Sequence, residues 1–231
     1  RFRSSKCVMA EAPKVPKTPA EKDTAQRLIV VLERACLETV KAGKSYELLN
    51  CDDHAHILKK HKRDPGECRP DITHQMLLTL LDSPLNKSGK LQVYIHTEDN
   101  ILIEVSPHIR IPRTYKRFAG LMVQLLHKLK IRAVTGPETL LKVVKNPVTQ
   151  YLPTGARRIG TSKTGTLCKI NEWVTTLPEG KPVVFVLGAL AHGKAEVDYV
   201  EEYISVSEFP LSGSVAAGKV CCAFEGLWGI C

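Results

Sequence analysis

The sequence predicts an α/β fold in which a mostly parallel sheet is flanked by helices. RLIVVLE and VVFVL, centred on Val30 and Phe185, are short apolar runs typical of strands buried on both faces. Segments with the apolar period of amphipathic helices alternate with the predicted strands, which is the order that βαβ units require. At 231 residues, 43% of them hydrophobic, the chain is long enough to bury one substantial core.

The N-terminal half is divided into elements by its apolar periods and its glycine and proline residues. Residues 1 to 24 are rich in Lys, Pro and Ala and are expected to form a flexible basic tail. After RLIVVLE, amphipathic turns that end at Gly43 are predicted for ACLETVKAG, and a helix for YELLNCDDHAHILKKH. The loop RDPGECRPD follows, and ITHQMLLTLLDSPLNKSG predicts a helix that Pro84 stops.

The second half begins with a hairpin. LQVYIHTEDNILIEV predicts two strands around the turn Glu98-Asp99-Asn100, and an apolar-periodic helix is predicted from Thr114 to about Lys128. GPETLLKVVKN is predicted to open another helix with proline at its first position. From Arg158 onward the predicted order is strand, helix, the strand VVFVL, a glycine loop, the strand YISVS and a final helix.

The final helix, SGSVAAGKVCCAFEGLWG, has two kinds of surface. An apolar stripe with a period of four residues is formed by Ala216, Val220, Phe224 and Trp228. The adjoining surface is small enough for close approach and consists of Gly213, Ala217, Gly218 and Cys221. Packing within the chain and a dimer interface explain this small surface equally well.

Composition indicates a soluble protein of the cytosol or nucleus. No apolar run approaches the roughly 20 residues that span a bilayer, and RFRSSKCVMAEAP lacks the apolar centre of a signal peptide. No membrane partner is therefore expected. The eight cysteines form no Cys-x-x-Cys pair and are expected to be reduced thiols. Because the chain starts at Arg1 and not at methionine, an N-terminal extension is also expected.

Positive charge is concentrated in one part of the chain. The net charge is +9, but 13 Lys or Arg residues and a single acid, Glu138, lie between Val105 and Asn171. That segment therefore carries +12, and the rest of the chain sums to −3. A solvated basic face is one explanation, but a long block nearly free of acids repels itself unless an anion is near, and this favours nucleic acid.

The stretch VVFVLGALAHGKA resembles a phosphate-binding loop, since Gly193-Lys194 follows Gly188 at the spacing of that motif. The motif requires Ser or Thr after the lysine to ligate magnesium, and here the residue is Ala195. The one strand that follows, YISVS, does not end in the aspartate that the metal of an NTPase needs. The sequence therefore disfavours an NTPase.

The cluster CDDHAHILKKH has the residue types of a zinc site but not the spacing. His54 and His56 would point to different faces of a helix, and Cys51 has only the distant Cys68 as a second thiolate. Helix capping by Asp52 or Asp53 and solvated histidines explain the cluster better. No metal is predicted.

Three arginines are predicted at the start of one helix in HIRIPRTYKRF. Thr114 is a natural N-cap residue, which places Arg113 at the helix mouth and Arg117 in its first turn, while Arg110 comes from the extended segment before it. Cations are unfavourable at the positive end of a helix, so the arrangement favours a bound anion, for which RNA phosphate is the obvious candidate.

Asp71 lies just before the helix ITHQMLLTLL and has several possible roles. It is able to cap that helix. Alternatively, its carboxylate holds Arg69 in place or accepts a proton in the site, which requires a tuned pKa.

Several strings in this order closely resemble the eukaryotic branch of the ribosome-biogenesis pseudouridine N1-methyltransferases of the SPOUT superfamily. They are LLNCDDH, RPDITHQMLLTLLDSPLNKSGKLQVYIHT, IRIPRTYKRFAGLMVQLLHKLKIRA, FVLGALAHGK and ISVSEFPLS, and the resemblance runs from about Arg27 to Cys231. It implies one SPOUT domain over residues 25–231, with an RNA-binding β-hairpin and helical insertion around 85–115. A C-terminal trefoil knot is expected around 158–228, although knots are rare exceptions to the connection rules.

The resemblance implies S-adenosylmethionine as the cofactor. The knot loop that wraps it includes Gly188, Ala191, Gly193, Lys194 and Ala195. The second cofactor loop is Ser207, Glu208, Phe209, Pro210, Leu211, Ser212 and Gly213. Thr161 belongs to a third loop. On this interpretation the glycines let backbone approach adenosine and methionine, not triphosphate.

The resemblance also implies a substrate site and partners. The RNA-binding arginines of the family correspond to Arg69, Arg110, Arg113 and Arg117, and Asp71 to the acid that steadies them, with Asp71 also a candidate catalytic base. The implied reaction methylates N1 of a pseudouridine in small-subunit rRNA, by a nucleolar or nuclear homodimer that works with pre-ribosomal assembly factors. The alternative is a noncatalytic RNA-binding assembly factor of the small-subunit processome.

Overall fold

The computed structural model of the protein describes residue 16 and residues 18–231. Most of the predicted basic tail lies outside these residues. Within the described part, residues expected to belong to the tail form the short helix α1 (Pro19–Thr24) instead. Thr18 and Glu21 exchange side-chain and backbone hydrogen bonds in a capping box, which is why this turn forms.

Eight strands of the described chain form one sheet in the order β10-β8-β9-β1-β4-β5-β7-β6. The pairs among β10, β8, β9, β1 and β4 are parallel, and those among β4, β5, β7 and β6 are antiparallel. The predicted mostly parallel sheet is therefore confirmed. The strands are β1 (Leu28–Ala35), β4 (Leu91–Thr97), β5 (Leu102–Val105), β6 (Lys130–Arg132), β7 (Thr139–Val144), β8 (Arg157–Leu167), β9 (Val183–Gly188) and β10 (Glu202–Ser205).

Strand β1 lies at the centre of the sheet and is buried on both faces. Leu28, Val30 and Leu32 face the larger core, which the helices cover. Ile29 and Val31 face a smaller core formed with Tyr94, Val184 and the irregular segments around 148–156 and 197–200. This two-sided burial is the reason that RLIVVLE is continuously apolar, as a parallel central strand requires.

The helices of the larger core are α3 (Pro70–Asp82), α5 (Tyr115–Lys128) and α7 (Gly213–Trp228). Shorter helices are α2 (Ala55–Lys60), α4 (Pro84–Lys87) and α6 (Ile170–Trp173), and 3-10 turns cover Pro65–Glu67, Val148–Tyr151 and Val174–Thr176. The predicted hairpin of β4 and β5 and the helix that follows Thr114 are confirmed.

Two segments predicted to be helical form strands. ACLETVKAG and the start of YELLNCDDHAHILKKH form a hairpin of β2 (Thr39–Ala42) and β3 (Ser45–Leu48), because Gly43 adopts a φ of 62° and allows a tight turn. GPETLLKVVKN contains β7, which pairs with β5 and β6. Pairing across the sheet outweighs the helical period of these short segments.

Helix α3 ends at Asp82, before Pro84 is reached. Ser83, the residue before Pro84, is extended at the end of α3, so the predicted stop by Pro84 is confirmed. Ser83 also caps the next helix through Asn86 N, and Pro84 is the first residue of α4. Helix α7 packs on α3. Ala217 and Cys221 are buried in this contact, and a Cβ on Gly218 would lie 3.4 Å from Thr79 Cγ2. Packing within the chain therefore accounts for much of the small surface.

Candidate functional site

Helix α3 begins with an ion pair between Arg69 and Asp71. Arg69 Nε and Nη2 donate to the two carboxylate oxygens of Asp71 at 2.8 and 2.7 Å. The hydrogen bonds from Arg69 lower the pKa of Asp71, and those to Asp71 raise the pKa of Arg69. Pro70 is the first helical residue and no side chain caps the helix, so the predicted capping role of Asp71 is wrong. The carboxylate instead holds the Arg69 guanidinium.

The arginine-bearing segment before α5 is fastened to α3 by a buried histidine. His74 Nε2 donates to the carbonyl oxygen of Pro112 at 2.7 Å, and its ring stacks on Phe118 with centroids 4.5 Å apart. Tyr115, next to Phe118, lies close to the start of α3. Its pKa is raised first by burial and then by the charge of Asp71.

The predicted arginines at the mouth of α5 differ in their partners. Arg113 Nη1 lies 2.7 Å from Asp82 Oδ2 at the end of α3. Asp82 lies outside the basic block, so the scarcity of acids within the block does not leave Arg113 unpaired. Arg110 and Arg117 are exposed, and neither forms an ion pair with any residue that the structure describes. Thr114 precedes the helix as predicted, but its side chain makes no capping bond. We call Arg69, Arg110, Arg113 and Arg117 the arginine surface.

A cleft of about 260 Å³ opens where β9 and β10 end, beside the middle of β8. The glycine loop (residues 188–195) and the loop of residues 207–213 form two of its walls. Eleven of the thirteen predicted cofactor residues line it: Thr161, Gly188, Ala191, Gly193, Lys194, Ala195, Ser207, Phe209, Pro210, Leu211 and Gly213. Glu208 does not line the cleft, and Ser212 instead accepts a capping hydrogen bond from Val215 N.

The remaining lining residues had no distinctive pattern in the sequence. They are Ser162, Lys163, Leu187, Leu190, Ile204, Ser205, Val206 and Ala216. Most adjoin a strand end, and the order of parallel strands is what brings these ends together. Their apolar members give the cleft a wall suited to an aromatic ring, and the hydroxyl and backbone groups give it hydrogen-bonding atoms.

The backbone of this cleft is closely packed at its glycines. A Cβ on Gly188 would lie 2.6 Å from Leu190 Cδ2 and 3.1 Å from Ala195 Cβ, and one on Gly213 would lie 2.7 Å from Met76 Sδ. The Ser205 hydroxyl donates to Ser207 O at 2.9 Å, and Ser207 Oγ accepts from Phe209 N at 3.0 Å. The loops are therefore shaped by local contacts that leave no room for larger residues.

The cysteine and histidine cluster is structural. His54 is buried, its Nδ1 accepts from Asn50 N at 3.2 Å, and its Nε2 lies 3.3 Å from Glu47 Oε2. The predicted capping by Asp52 or Asp53 is wrong, because His54 is the N-cap residue of α2 and no side chain makes a capping hydrogen bond there. Asn50 Oδ1 instead accepts from the backbone N–H groups of Asp52 and Asp53. His56 and His61 are solvated as predicted, and His54 is not. Among the described residues, no group of three His, Cys, Asp or Glu side chains is placed to hold a metal ion.

The sequence that forms the cleft and the arginine surface is similar to that of a known protein family. The family model described as EMG1/NEP1 methyltransferase matches residues 30–225. The chain belongs to the EMG1/NEP1 methyltransferase family. The match runs from β1 into α7, so it includes both sites of this EMG1/NEP1 chain.

Named relatives and a solved structure extend this assignment. The human ribosomal RNA small subunit methyltransferase NEP1 is 57% identical over 94% of this chain and 89% of its own length, and the mouse protein of that name is 60% identical over 89% and 83%. The crystal structure of Archaeoglobus fulgidus Nep1 bound to S-adenosylhomocysteine matches with a TM-score of 0.72 and 26% identity, over 88% of this chain and 99% of that one. The predicted family and α/β fold are thereby confirmed.

Proposed function

We propose that this protein transfers a methyl group from S-adenosylmethionine to N1 of a pseudouridine in small-subunit ribosomal RNA during ribosome biogenesis. One observation carries the proposal: a chain of the EMG1/NEP1 family has a cleft lined by eleven of the residues predicted for the cofactor. The Archaeoglobus relative was crystallised with S-adenosylhomocysteine, the product that this cofactor leaves.

The residues of the cleft fit this cofactor. Leu187, Ile204 and Ala216 offer apolar contact to an adenine ring, and Thr161 and the backbone of the two loops offer hydrogen bonds. Close packing of Gly188 against Leu190 and Ala195, and of Gly213 against Met76, fixes the course of the two loops that form the walls of the cleft. S-Adenosylmethionine supplies an electrophilic methyl group on its sulfonium.

The arginine surface positions the RNA. Arg110 and Arg117 are free of carboxylates among the described residues, and Arg69 is held rigid by Asp71. Guanidinium forks at the N-terminus of α5 bind phosphates with both charge and geometry. The target base must leave its stack to reach the cleft, so holding the neighbouring phosphates supplies much of the rate through positioning.

The N1–H group of pseudouridine is weakly acidic, which limits how strong a base the protein must provide. A bound S-adenosylmethionine would supply the methyl group to N1, and the N1 proton would be lost to solvent water. Hydrogen bonding lowers the pKa of Asp71, which makes this carboxylate a weaker base. Of its predicted roles we therefore favour the positioning of Arg69.

The proposal includes the assembly state, the partners and the location. We infer a homodimer that uses the outer side of α7, where Val215 and Cys222 are exposed. Pre-ribosomal assembly factors are its further partners, in the nucleolus or nucleus. No helix among the described residues is long and apolar enough to cross a bilayer.

The test is a pair of measurements on the purified protein. Calorimetric titration with S-adenosylmethionine and with magnesium ATP tests the cleft, and methyl transfer to RNA hairpins that differ only by uridine or pseudouridine tests the reaction. Binding of S-adenosylmethionine alone, with methylation of the pseudouridine hairpin alone, is expected. RNA binding without cofactor binding would overturn the proposal that the protein is a methyltransferase. The protein would then be a noncatalytic assembly factor.

A further inference from the structure

Arg34 has a backbone conformation that favours glycine. It follows the buried part of β1 in a bulge, since the pairing of β1 with β4 shifts register between Leu32 and Ala35. Its φ is 58°, in the left-handed region that side chains with a Cβ rarely adopt. A non-glycine residue held there carries strain, so its side chain must make contacts that offset the cost.

The Arg34 guanidinium joins two separate parts of the molecule. Nη1 donates to the carbonyl oxygen of Lys194 in the glycine loop at 3.0 Å. Nη2 donates to Glu98 Oε1 in the turn between β4 and β5, also at 3.0 Å. The Glu98 turn is itself fixed to β1, because Glu98 N donates to Ala35 O at 3.2 Å. One side chain therefore connects the glycine loop to a rigid corner of the sheet.

Gly193 makes this approach possible. Its φ is 93°, and a Cβ built on it would lie 3.6 Å from Arg34 Nη1. The loop is exposed from His192 to Lys194, so few buried contacts hold it. The His192 ring packs beside Gly66, where a Cβ would lie 3.3 Å from His192 Cδ2. Arg34 thus supplies a fixed attachment in an exposed stretch, opposite the contact of His192 with Gly66.

Arg34 does not line the cleft, so its effect on a ligand must pass through the loop. Gly193, Lys194 and Ala195 do line the cleft, and Arg34 bonds to the middle one of these three. A loop already held in its binding conformation loses less freedom when a ligand binds, which raises affinity without a new contact.

We propose that Arg34 is a positioning residue that holds the glycine loop in its cofactor-binding conformation by bridging Lys194 and Glu98. The inference rests on the proposed function, because it takes the ligand of the cleft to be S-adenosylmethionine. The bulge aims the side chain, and the guanidinium, with two donating arms, suits a bridge between a carbonyl and a carboxylate.

Arg34→Gly separates this role from a merely structural one. Glycine accepts the left-handed backbone without strain, so the melting temperature is expected to stay the same or rise. The Kd for S-adenosylmethionine is expected to rise about tenfold, as the loss of one charged hydrogen bond would give. Amide hydrogen exchange in residues 191–195 is expected to accelerate in the unliganded protein, which is a readout independent of the ligand.

Two further variants complete the test. Glu98→Gln keeps the bond to Lys194 and is expected to weaken cofactor binding less than Arg34→Gly does. Arg34→Lys keeps one charge without the fork and is expected to be intermediate. Unchanged cofactor affinity and unchanged loop exchange in Arg34→Gly would overturn the positioning role. No binding of S-adenosylmethionine by the unaltered protein would instead overturn the proposed function, while the exchange measurement would still decide whether Arg34 holds the loop.

Discussion

His74 Nε2 lies 2.7 Å from the carbonyl oxygen of Pro112, so helix α3 directly holds the segment between Arg110 and Arg113. The same helix places Asp71 against Arg69 at its start, Met76 beside Gly213 of the cleft, and Asp82 against Arg113 at its end. Helix α3 therefore links the arginine surface to the cleft. Under the proposed function, the position of the RNA then depends on contacts away from any phosphate.

His74→Ala is expected to weaken RNA binding about tenfold while leaving the binding of S-adenosylmethionine unchanged. The substitution leaves the Pro112 carbonyl without its buried donor and removes the stacking on Phe118, so the arginine segment loosens. Fluorescence anisotropy with an RNA hairpin and calorimetry with the cofactor measure the two affinities. His56→Ala, on the exposed side of α2, is the matched control. RNA affinity equal to that of the control would contradict the prediction.

The double variant Arg113→Ala with Arg117→Ala is expected to abolish RNA binding at physiological salt and to leave cofactor binding intact. Each phosphate contact to a single strand contributes about 0.7 to the slope of log K against log salt, so the slope should fall by about 1.4. Anisotropy over a series of salt concentrations measures it. Lys59→Ala with Lys60→Ala, exposed on α2, removes the same charge elsewhere. An equal loss of affinity in that control would show that only net charge matters.

Asp82→Asn is expected to strengthen RNA binding severalfold. In the free protein the Asp82 carboxylate occupies Arg113 at 2.7 Å and must give it up when a phosphate binds. Removing the negative charge frees the guanidinium and removes a repulsion toward the RNA backbone. The same anisotropy assay measures the change, and the gain should disappear when Arg113→Ala is combined with Asp82→Asn. A gain that persists in the combined variant would place the effect elsewhere.

The sequence predicts best those elements whose pattern has a local cause. RLIVVLE is recognisable as a strand because β1 is buried on both faces, and the turn at Asn100 identifies the hairpin of β4 and β5. The strand β7 is not recognisable, because TLLKVV is compatible with a helix and its pairing with β5 and β6 makes it extended. Periodicity over six residues cannot decide between the two.

The arginine surface and the cleft each combine residues that have a local sequence signal with residues that only folding brings there. The arginines at the start of α5 follow from charge and helix signals, whereas their partner Asp82 lies outside the basic block and is brought to Arg113 by folding. The glycine loop stands out in the sequence, but Ile204 and Ala216 join the cleft only because β10 ends and α7 begins beside it. Arg34 has no sequence signal, since its role depends on a bulge.

Gly165→Ala is expected to lower the free energy of unfolding by about 1–3 kcal/mol through overpacking. A Cβ there would lie 2.7 Å from the backbone carbonyl carbon and oxygen of Tyr203, so β8 and β10 must move apart. Gly226→Ala is the control, because it lies within α7 with no atom within 4 Å of its Cβ position. It should raise stability by roughly 0.5–1 kcal/mol. Urea denaturation measures the free energy of unfolding of both variants. An equal change in the two variants would contradict the packing argument.

The buried carboxylate of Glu33 accepts hydrogen bonds from two side chains. Glu33 Oε2 accepts from His96 Nδ1 at 2.7 Å, and Oε1 accepts from the Tyr199 hydroxyl at 2.6 Å. Hydrogen bonding to Glu33 raises the pKa of His96, and Asn100 supports it on the other ring nitrogen. Burial raises the pKa of Tyr199, so the phenol stays a donor.

A raised pKa in the folded protein means that protonated His96 stabilises the fold. The contribution is complete below the pKa of about 6.5 that an unfolded histidine has, and it is lost as pH rises through the higher folded value. His96→Gln should therefore lower the melting temperature more at about pH 6 than at about pH 9. His56→Gln, on the exposed side of α2, should show no such difference. A deficit in His96→Gln that is the same at both pH values would mean that His96 contributes only a neutral hydrogen bond to Glu33.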